Sequence, residues 1–348
     1  MAHILIIGGL GFIGVNAALR HLRDGDRVTI FDDGSREGTD NNESTLIDFN
    51  AVHCPEPRLT IVNVDISFTT QLEEAFSAMS FDFGPPDIVY HLAAQVAVTT
   101  SIEDPRRDFE INAYGSFNVL ECCKNYARDA ILIYASTNKV YGSLSDKQIG
   151  MGDRGYTVIE AGFKGITEEQ QLDFHSPYGC SKGVADQYFL DYARIYGLKT
   201  VVFRQSCIYG PNQFGVEDQG WVAHFAISEH KGQPITVYGN GQQVRDLLHV
   251  DDLISAYLYA ADWIEVTAGQ AFNIGGGWNN RTSVADIIRI LGNKEIEYGP
   301  ERQGDQKCYV SDFSKFKKAT GWEPKIDLEE GLISMQSWIK DNVLGAKA

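Results

Sequence analysis

The sequence predicts an α/β protein with a doubly wound parallel sheet and a smaller C-terminal lobe. An apolar segment, His3–Ile7, comes first and is followed by a glycine-rich turn and a helix with apolar periodicity. Further apolar segments alternate with helical stretches as far as 199–203, a pattern typical of parallel sheets covered by helices on both faces. Beyond Phe214 the segments become shorter and mixed. We therefore expect a nucleotide-binding domain at 1–213 and a substrate-binding lobe at 214–348.

Length, charge and cysteine usage limit the classes of partner. A chain of 348 residues suits either one large α/β unit or a nucleotide-binding domain with a smaller second domain. Its formal net charge of −17 argues against nucleic acid and anionic membranes as partners, because both require a basic patch. The 6 cysteines form no Cys-x-x-Cys pair, and no signal-peptide or transmembrane pattern is visible. We expect a cytoplasmic protein with reduced thiols.

The first turn has the spacing Gly-x-x-Gly-x-x-Gly at Gly8, Gly11 and Gly14, with Phe12 and Ile13 opening the following helix. Glycines let a pyrophosphate approach a helix N-terminus, where free N–H groups and the helix dipole favour anions. A strand, this turn and a helix in succession predict dinucleotide binding. A tight turn with a purely structural role is the alternative.

The second predicted strand, 27–31, ends at Asp32 and Asp33. A carboxylate about 20 residues beyond the glycines holds the ribose hydroxyls and repels a 2′-phosphate. The cofactor is therefore expected to be NAD rather than NADP, although Arg36 close by would suit a 2′-phosphate.

Three later strand ends are expected to face the cofactor, because ligands bind beyond the carboxyl ends of parallel strands. Strands are predicted at 59–63, 87–91, 130–134 and 199–203, with a helix at 108–128 between the second and third of these. The three ends are Asp65-Ile66, His91-Leu92-Ala93-Ala94 and Ala135-Ser136-Thr137-Asn138. The residues predicted to bind the cofactor at these ends are Asp65, Ile66, Leu92, Ala93 and Ala94. For His91, a structural hydrogen bond is expected rather than catalysis.

Tyr178 and Lys182 lie four residues apart in a predicted helix that follows Pro177, so they share one face. A phenol with a pKa near 10 is a poor base at neutral pH, but a neighbouring ammonium and a cationic nicotinamide both favour the phenolate. The pair predicts a proton acceptor. The alternative is a surface tyrosine and lysine on an amphipathic helix.

The C-terminal lobe is expected to contain helices at 221–231, 251–263, 283–291 and 328–340 and a strand at 235–237. Between the strand ending near Tyr134 and the helix of Tyr178, the segment 144–173 is polar, contains glycine and is long for a connection. We interpret it as a lid or an insertion over the substrate.

Several motifs occur together in the order and spacing of a known family. They are Gly8-x-x-Gly11-x-x-Gly14, Asp32, Asp65-Ile66, His91-Leu92-Ala93-Ala94, Asn112-x-x-Gly115, Thr137 before Val140-Tyr141-Gly142, Tyr178-x-x-x-Lys182, and Arg245-Asp246 with His249-Val250-Asp251-Asp252. Along most of the chain they resemble the extended short-chain dehydrogenase/reductase family of nucleotide-sugar epimerases and dehydratases. Longer strings at 95–102, 136–142 and 172–183 look like the members that epimerise CDP-linked hexoses at C2.

This resemblance implies a Rossmann fold, bound NAD, no metal, and a homodimer or homotetramer. By position, Tyr178 would accept the proton, Lys182 would lower its pKa and hold the nicotinamide ribose, and Thr137 would bind the reacting oxygen. The residues expected to bind a nucleotide-sugar, with a CDP-hexose favoured, are Thr100, Thr137, Asn138, Arg245 and Arg302.

Two departures from the family pattern refine this expectation. Nucleotide-sugar 4,6-dehydratases carry an Asp-Glu pair directly after the position of Thr137, whereas this chain has Asn138 and Lys139, so dehydration is disfavoured. Cys207 stands where many members have an asparagine that contacts the substrate phosphates. Arg245 and Arg302 are candidates for that role, because guanidinium pairs well with phosphate. For each of them a solvated salt bridge is the alternative.

The expected reaction is NAD-dependent epimerisation of a nucleotide-linked hexose at C2, of the gluco/manno type, through a 2-keto intermediate. Three alternatives stay open from sequence. They are a UDP-hexose 4-epimerase with the same catalytic groups, a net nucleotide-sugar dehydrogenase or reductase, and a non-catalytic NAD-sensing protein. Intact Thr137, Tyr178 and Lys182 weigh against the last.

Overall fold

A computed structural model of the chain describes residues 1–302 and 305–344, without the side chain of Leu344. Within these residues the strands, in chain order, are β1 (His3–Ile7), β2 (Arg27–Asp32), β3 (Leu59–Asn63), β4 (Ile88–His91), β5 (Ile131–Thr137), β6 (Ile149–Gly152), β7 (Gly155–Val158), β8 (Lys199–Gln205), β9 (Cys207–Tyr209), β10 (Ile235–Tyr238), β11 (Val244–His249), β12 (Gln270–Ile274), β13 (Arg281–Ser283), β14 (Ile296–Gly299) and β15 (Cys308–Tyr309).

The helices of the same residues are α1 (Phe12–Asp24), α2 (Thr39–His53), α3 (Thr69–Phe83), α4 (Val98–Glu103), α5 (Pro105–Phe109), α6 (Ser116–Tyr126), α7 (Ser176–Tyr196), α8 (Trp221–Lys231), α9 (Val250–Asp262), α10 (Ile264–Thr267), α11 (Val284–Leu291), α12 (Ser314–Thr320) and α13 (Leu328–Ile339). Glu110–Gly115 and Lys340–Leu344 are π-helical, and Asn138–Tyr141 is a 3₁₀ turn. No helix in this part of the chain has both the length and the apolar character needed to cross a bilayer.

The central sheet has seven strands in the order β12-β8-β5-β4-β1-β2-β3. The pairs β1–β2, β2–β3, β1–β4 and β4–β5 run parallel, with Ile7 opposite Phe31 on one side and His91 on the other. β2 and β3 lie in succession on one side of β1, whereas β4, the next strand along the chain, lies on the other side of β1. The sheet confirms the predicted doubly wound architecture, and ligands bind such sheets where the strand order reverses.

Burial explains why β1 is apolar at every position. All five of its residues are buried, as expected for a central strand covered by helices on both faces. Leu5 and Ile7 belong to a core cluster that also contains Phe31, Leu132 and Phe189, so strands and the long helix α7 share one apolar interior.

The chain divides into two compact units that alternate along the sequence. The first contains 1–136, 177–203 and 257–271, and the second contains 137–176, 204–256 and 272–348. The boundary predicted from the sequence, a single one after residue 213, differs from this division. The assignment of nucleotide-sugar binding mainly to 214–348 stays a proposal about function.

The second unit has small sheets of its own. β13, β11 and β15 are neighbours in one sheet, where β9 also pairs with β11, and β10 pairs in parallel with β14. The segment 144–173 contains the antiparallel hairpin β6–β7. An apolar cluster of helix and strand residues, including Phe225, Leu247 and Ile287, supports this unit.

The helix predicted over 108–128 is not continuous. It consists of α5, the π-helical turn Glu110–Gly115 and α6. A Cβ on Gly115 would lie 2.7 Å from Cγ1 of Ile66, so the turn brings its backbone unusually close to the residue that follows β3. Asn112, inside the same turn, accepts a hydrogen bond from the Gln95 N–H at 2.9 Å. The extra residue of a π-helical turn does not visibly change the apolar periodicity of the sequence, so the interruption of the helix could not be predicted.

Candidate active site

The glycine turn after β1 is closely packed at two of its three spaced glycines. Gly8 has a φ of 85°, and a Cβ there would lie 2.4 Å from the Ala93 nitrogen. A Cβ on Gly14 would lie 2.4 Å from the Gly8 carbonyl oxygen. At Gly11 the nearest protein atom would be 3.4 Å away, and this residue caps α1 without a side chain. The turn therefore leaves open space at the helix N-terminus, which suits a pyrophosphate.

Asp32, the last residue of β2, is joined to that turn. Its Oδ2 accepts the Leu10 N–H at 2.9 Å and its Oδ1 accepts the Gly34 N–H at 2.9 Å. Burial raises the pKa of Asp32, and the two N–H donors oppose this effect. The exposed Arg36 interacts electrostatically with both Asp32 and Tyr178, so a cation lies near the carboxylate, as the sequence suggested.

The other predicted acidic cofactor residues have partners within the protein. Asp33 accepts a hydrogen bond from the Ser35 hydroxyl at 2.6 Å. Asp65 forms an ion pair with Arg107 at 2.8 Å, and the adjacent Ile66 is buried. Asp65 is thereby fixed at the end of β3, and a cofactor role for it stays a prediction.

The exit of β4 lies against the glycine turn. The N–H groups of Leu92 and Ala93 both donate to the Ile7 carbonyl at 2.8 Å, and Ala94 follows directly. Phe12 and Ile13 occupy the first positions of α1 and are half-buried. The predicted cofactor residues named here thus lie together at the carboxyl ends of β1, β2 and β4. A glycine cradle at a helix N-terminus and a carboxylate at the end of the second strand fit the pyrophosphate and ribose of NAD.

Tyr178 and Lys182 both lie in the first two turns of α7, and both are buried. Ser176, which opens the helix, has a φ of 62°. The Lys182 ammonium donates a hydrogen bond to the Ala135 carbonyl at 2.6 Å and lies 4.3 Å from the centre of the Tyr134 ring. The lysine is therefore held at the end of β5, on the helix face it shares with Tyr178.

The charge of Lys182 is poorly solvated. Burial lowers its pKa to about 7, although the carboxylates of Asp186 and Asp108 act in the opposite direction. Asp186 accepts a hydrogen bond from the Ser136 hydroxyl at 2.7 Å, one turn along α7 from the lysine. A poorly solvated ammonium interacts strongly with any anion that forms near it, including a phenolate.

A buried polar network behind α7 was not predicted from the sequence. The Ser181 hydroxyl donates to Asp108 Oδ2 at 2.5 Å, and the Asn112 amide donates to Asp108 Oδ1 at 3.1 Å. This network fixes the residue next to Lys182 to the segment that contains the π-helical turn. The spacing of Asp108 and Asn112, four residues apart, was the available signal, but nothing local pointed to Ser181 as their partner.

His91 has the structural environment that the sequence analysis favoured. The Ser116 hydroxyl donates to the Asn112 carbonyl at 2.6 Å, so the Nε2–H of His91 donates to Ser116, at 2.8 Å. Its ring stacks on Tyr134 and Phe189. Burial lowers the pKa of His91 to about 3, so the imidazole is neutral at physiological pH.

Thr137 and Asn138 belong to the second unit, at the start of the 3₁₀ turn. The buried Thr137 hydroxyl accepts the Lys139 N–H at 3.2 Å. The Asn138 amide donates to Gln306 Oε1 at 3.1 Å. Thr100 lies in α4 of the first unit, where it is exposed.

The two arginines predicted to bind phosphate are both paired with carboxylates. Arg245 contacts Asp305 Oδ1 at 2.6 Å, and its side chain is 8% exposed. Arg302 contacts Asp218 at 2.7 Å, and its guanidinium lies 3.9 Å from the centre of the Tyr238 ring. Neither aspartate was identified from the sequence, because each is far along the chain from its arginine.

Comparisons with known proteins give consistent results. Residues 4–275 match the NAD dependent epimerase/dehydratase family. The chain is 42% identical over 348 residues to a CDP-paratose 2-epimerase of Salmonella typhi, covering 96% of this chain and 98% of that protein. The UDP-glucose 4-epimerase of Thermotoga maritima, solved with UDP-glucose, is 30% identical with a TM-score of 0.79, covering 98% of this chain and 99% of that one. The UDP-glucose 4-epimerase of Thermus thermophilus, solved with NAD, is 28% identical with a TM-score of 0.78, covering 97% and 99%.

Proposed function

The chain belongs to the NAD-dependent epimerase/dehydratase family, and on that premise we propose that it inverts C2 of a CDP-linked hexose of the paratose/tyvelose type. The observation that supports this choice is the 42% identity to a CDP-paratose 2-epimerase over nearly the full length of both chains. The UDP-glucose 4-epimerase from Thermotoga maritima shares 30%. The protein is accordingly an isomerase that uses NAD.

The residues of the first unit provide cofactor binding and the base. When bound, NAD would supply a reversible hydride acceptor for a sugar carbon. The open turn at Gly11 holds the pyrophosphate, and Asp32 holds the ribose hydroxyls. Tyr178 removes the proton from the C2 hydroxyl, and the buried Lys182 ammonium stabilises the phenolate. Thr137 donates a hydrogen bond to the reacting oxygen.

The second half of the cycle inverts the carbon. Tyr178 returns the proton to the oxygen of the 2-keto sugar once that sugar presents its other face. A ring that must turn while its nucleotide stays bound requires a strong hold on the diphosphate and a weak hold on the hexose. Arg245 and Arg302 bind the diphosphate strongly. Because the hydride that is removed is also returned, the reaction has no net redox change.

The two positions after Thr137 carry no carboxyl group that could move protons in a dehydration. Asn138 is an amide bound to Gln306, and Lys139 is a cation that contacts Asp305 at 3.3 Å. A 4,6-dehydration needs groups that move protons at C5 and C6. The chemistry of Asn138 and Lys139 therefore supports epimerisation without loss of water.

The carbon that reacts can be tested directly with CDP-hexoses. We expect gluco and manno forms to interconvert, with no galacto product. A 4-deoxy analogue should be epimerised and a 2-deoxy analogue should be inert, because only the latter lacks the hydroxyl that is oxidised. The opposite pattern would make the protein a 4-epimerase and would leave the roles of Thr137, Tyr178 and Lys182 unchanged.

The same reactions in heavy water, followed by NMR, test the route. Removal and return of a hydride leave the product without carbon-bound deuterium, whereas deprotonation of a carbon would introduce it. Stoichiometric free NADH in solution would instead identify a net dehydrogenase.

A further inference from the structure

In the second unit, two cations share one carboxylate oxygen. Arg245 Nη2 lies 2.6 Å from Asp305 Oδ1, and Lys139 Nζ lies 3.3 Å from the same atom. The side chains are largely buried, with 8% of Arg245, 22% of Lys139 and 35% of Asp305 exposed. Two positive charges therefore face a single negative charge.

The neighbouring groups do not supply the missing negative charge. Burial raises the pKa of the Cys207 thiol, so this neighbour of both cations is neutral at physiological pH. The Asp246 carboxylate follows Arg245 in β11 but contacts the Ser206 hydroxyl and the Gly277 N–H, whereas the carboxylate that both cations contact is Asp305. An excess buried cation is unfavourable unless an anion joins it. The cluster is therefore incomplete without an anionic ligand.

The position of Lys139 indicates which anion. The backbone N–H of Lys139 donates to the Thr137 hydroxyl, so the backbone of the lysine is fixed in the same short turn as the residue that would bind the oxygen on C2. In a nucleotide-sugar, C1 carries the diphosphate and is bonded to C2. The sugar-linked phosphate is thus the anionic group of the substrate that is closest, through bonds, to the oxygen that Thr137 would bind.

We propose that Lys139 binds the sugar-linked phosphate together with Arg245, and that Asp305 is the internal counter-ion that the substrate displaces. Lysine is a compact point charge suited to a phosphate oxygen, whereas the arginine can bind two oxygens at once. Lys139 thereby supplies a donor in a family member that has Cys207 in place of a phosphate-binding asparagine. This inference rests on the proposed function for the identity of the substrate, but the site itself requires only a nucleoside diphosphate.

The first test measures the affinity of the NAD-bound protein for CDP by calorimetry. Lys139→Met should weaken CDP binding by about tenfold or more, with cytidine binding unchanged, because cytidine carries no phosphate. Lys147→Met is the matched control, since Lys147 is also in the second unit, is 25% exposed and lies 3.5 Å from Asp146. CDP affinity that is unchanged in Lys139→Met, or equally reduced in Lys147→Met, would overturn the proposal.

A second variant protects the test against misfolding. Lys139→Gln keeps a polar side chain able to donate to Asp305 but removes the charge. It should retain bound NAD and show the same selective loss of CDP affinity. A CDP affinity equal to that of the unmodified protein would contradict a role for the charge.

A double-mutant cycle separates phosphate binding from a merely structural ion pair. Asp305→Asn should tighten CDP binding, because the ligand no longer competes with a carboxylate. In that background Lys139→Met should still weaken CDP binding by about tenfold. If the lysine only neutralises Asp305, its replacement will have no effect once the aspartate is gone, and the proposal fails.

The outcome is independent of the proposed reaction. A protein that converts no CDP-hexose, but whose UDP and CDP affinities both depend on Lys139, would disprove the proposed function and retain the phosphate site. A protein that epimerises CDP-hexoses with full CDP affinity in Lys139→Met would retain the function and disprove the site.

Discussion

The Lys182 ammonium is buried, and the cost of burying its charge should make stability depend on pH. Its pKa is about 7 in the folded protein, whereas a solvated lysine has a pKa of about 10.4. Between these values the unfolded chain binds more protons than the folded chain, so stability rises with pH. Below about pH 7 both states are protonated and the cost of burying the charge is fully present.

We expect the free energy of unfolding of the cofactor-free protein, relative to Lys182→Met, to increase from pH 7 to pH 9 by up to about 1.4 kcal/mol per pH unit. Chemical denaturation at several pH values measures this difference. Lys199→Met, at an exposed position that opens β8, is the control and should give a constant difference. A constant difference for Lys182→Met as well would show that its ammonium is not desolvated.

The phenol of Tyr178 is expected to be the base. Tyr178→Phe should lower kcat by at least about 10²-fold, the usual effect of a positioned acid–base group, while NAD stays bound. Tyr188→Phe, on the same helix and 44% exposed, should leave both unchanged. Full activity in Tyr178→Phe with normal cofactor content would remove the residue from the mechanism.

Asp32 should determine the choice between NAD and NADP. Asp32→Ala removes the acceptor of the ribose hydroxyls, so the affinity for NAD should fall. It also removes the negative charge that opposes a 2′-phosphate, so the ratio of NAD affinity to NADP affinity should decrease, and the nearby Arg36 should favour this change. Calorimetry with both dinucleotides measures the change, with the exposed Asp40→Ala as the control. Tighter binding of NADP by the unmodified protein would contradict this role.

Replacing glycine by alanine should have different effects at two positions of the glycine turn, Gly14 and Gly11. Gly14→Ala would place a Cβ 2.4 Å from a carbonyl oxygen and 2.6 Å from the Gly9 Cα, so it should lower stability by about 1–3 kcal/mol. Gly11→Ala meets protein atoms only at 3.4 Å, so it should fold normally but obstruct the pyrophosphate. Thermal unfolding and NAD affinity, measured for both variants, distinguish these effects. If the two variants change stability equally and NAD affinity equally, the glycine turn is wrongly assigned as the pyrophosphate site.

Elements with clear local signals were predicted well. The bounds of β3 and α8 agree with the prediction, and α8 is followed by Gly232, whose left-handed conformation caps the helix. β11 and β12 were not predicted, because polar residues interrupt their apolar pattern. These residues are Arg245 and Asp246 in β11 and Asn273 in β12. Their polar side chains are satisfied by tertiary contacts, such as the bond from Asn273 to the Ile166 carbonyl, which no local pattern reveals.

The site shows the same division between local and distant information. Glycine spacing, the carboxylate after β2 and the four-residue interval from Tyr178 to Lys182 are local patterns. Asp305 pairs with Arg245 across 60 positions and Asp218 pairs with Arg302 across 84. Ser181 reaches Asp108 across 73. Local patterns predicted the candidate groups, whose roles stay predictions, and gave no signal for the distant partners that orient or neutralise them.

For the molecule as a whole, cofactor retention follows from a reaction that begins and ends with the same form of NAD. We expect freshly purified protein to release NAD(H) on denaturation, at close to one per chain, with no stoichiometric metal in elemental analysis. Protein that is purified without cofactor and accumulates free NADH with substrate would indicate a dehydrogenase.

The alternation of the two units along the chain has a consequence for recombination between relatives. The polypeptide changes unit after residues 136, 176, 203, 256 and 271, and Thr137 and Tyr178 stand within two residues of such a change. A single crossover therefore cannot exchange one unit for that of another enzyme. Three segments, 137–176, 204–256 and 272–348, would have to be transplanted together. If nucleotide-sugar binding lies mainly in the second unit, as proposed, such a chimera should take its sugar preference mainly from the parent that supplies these segments.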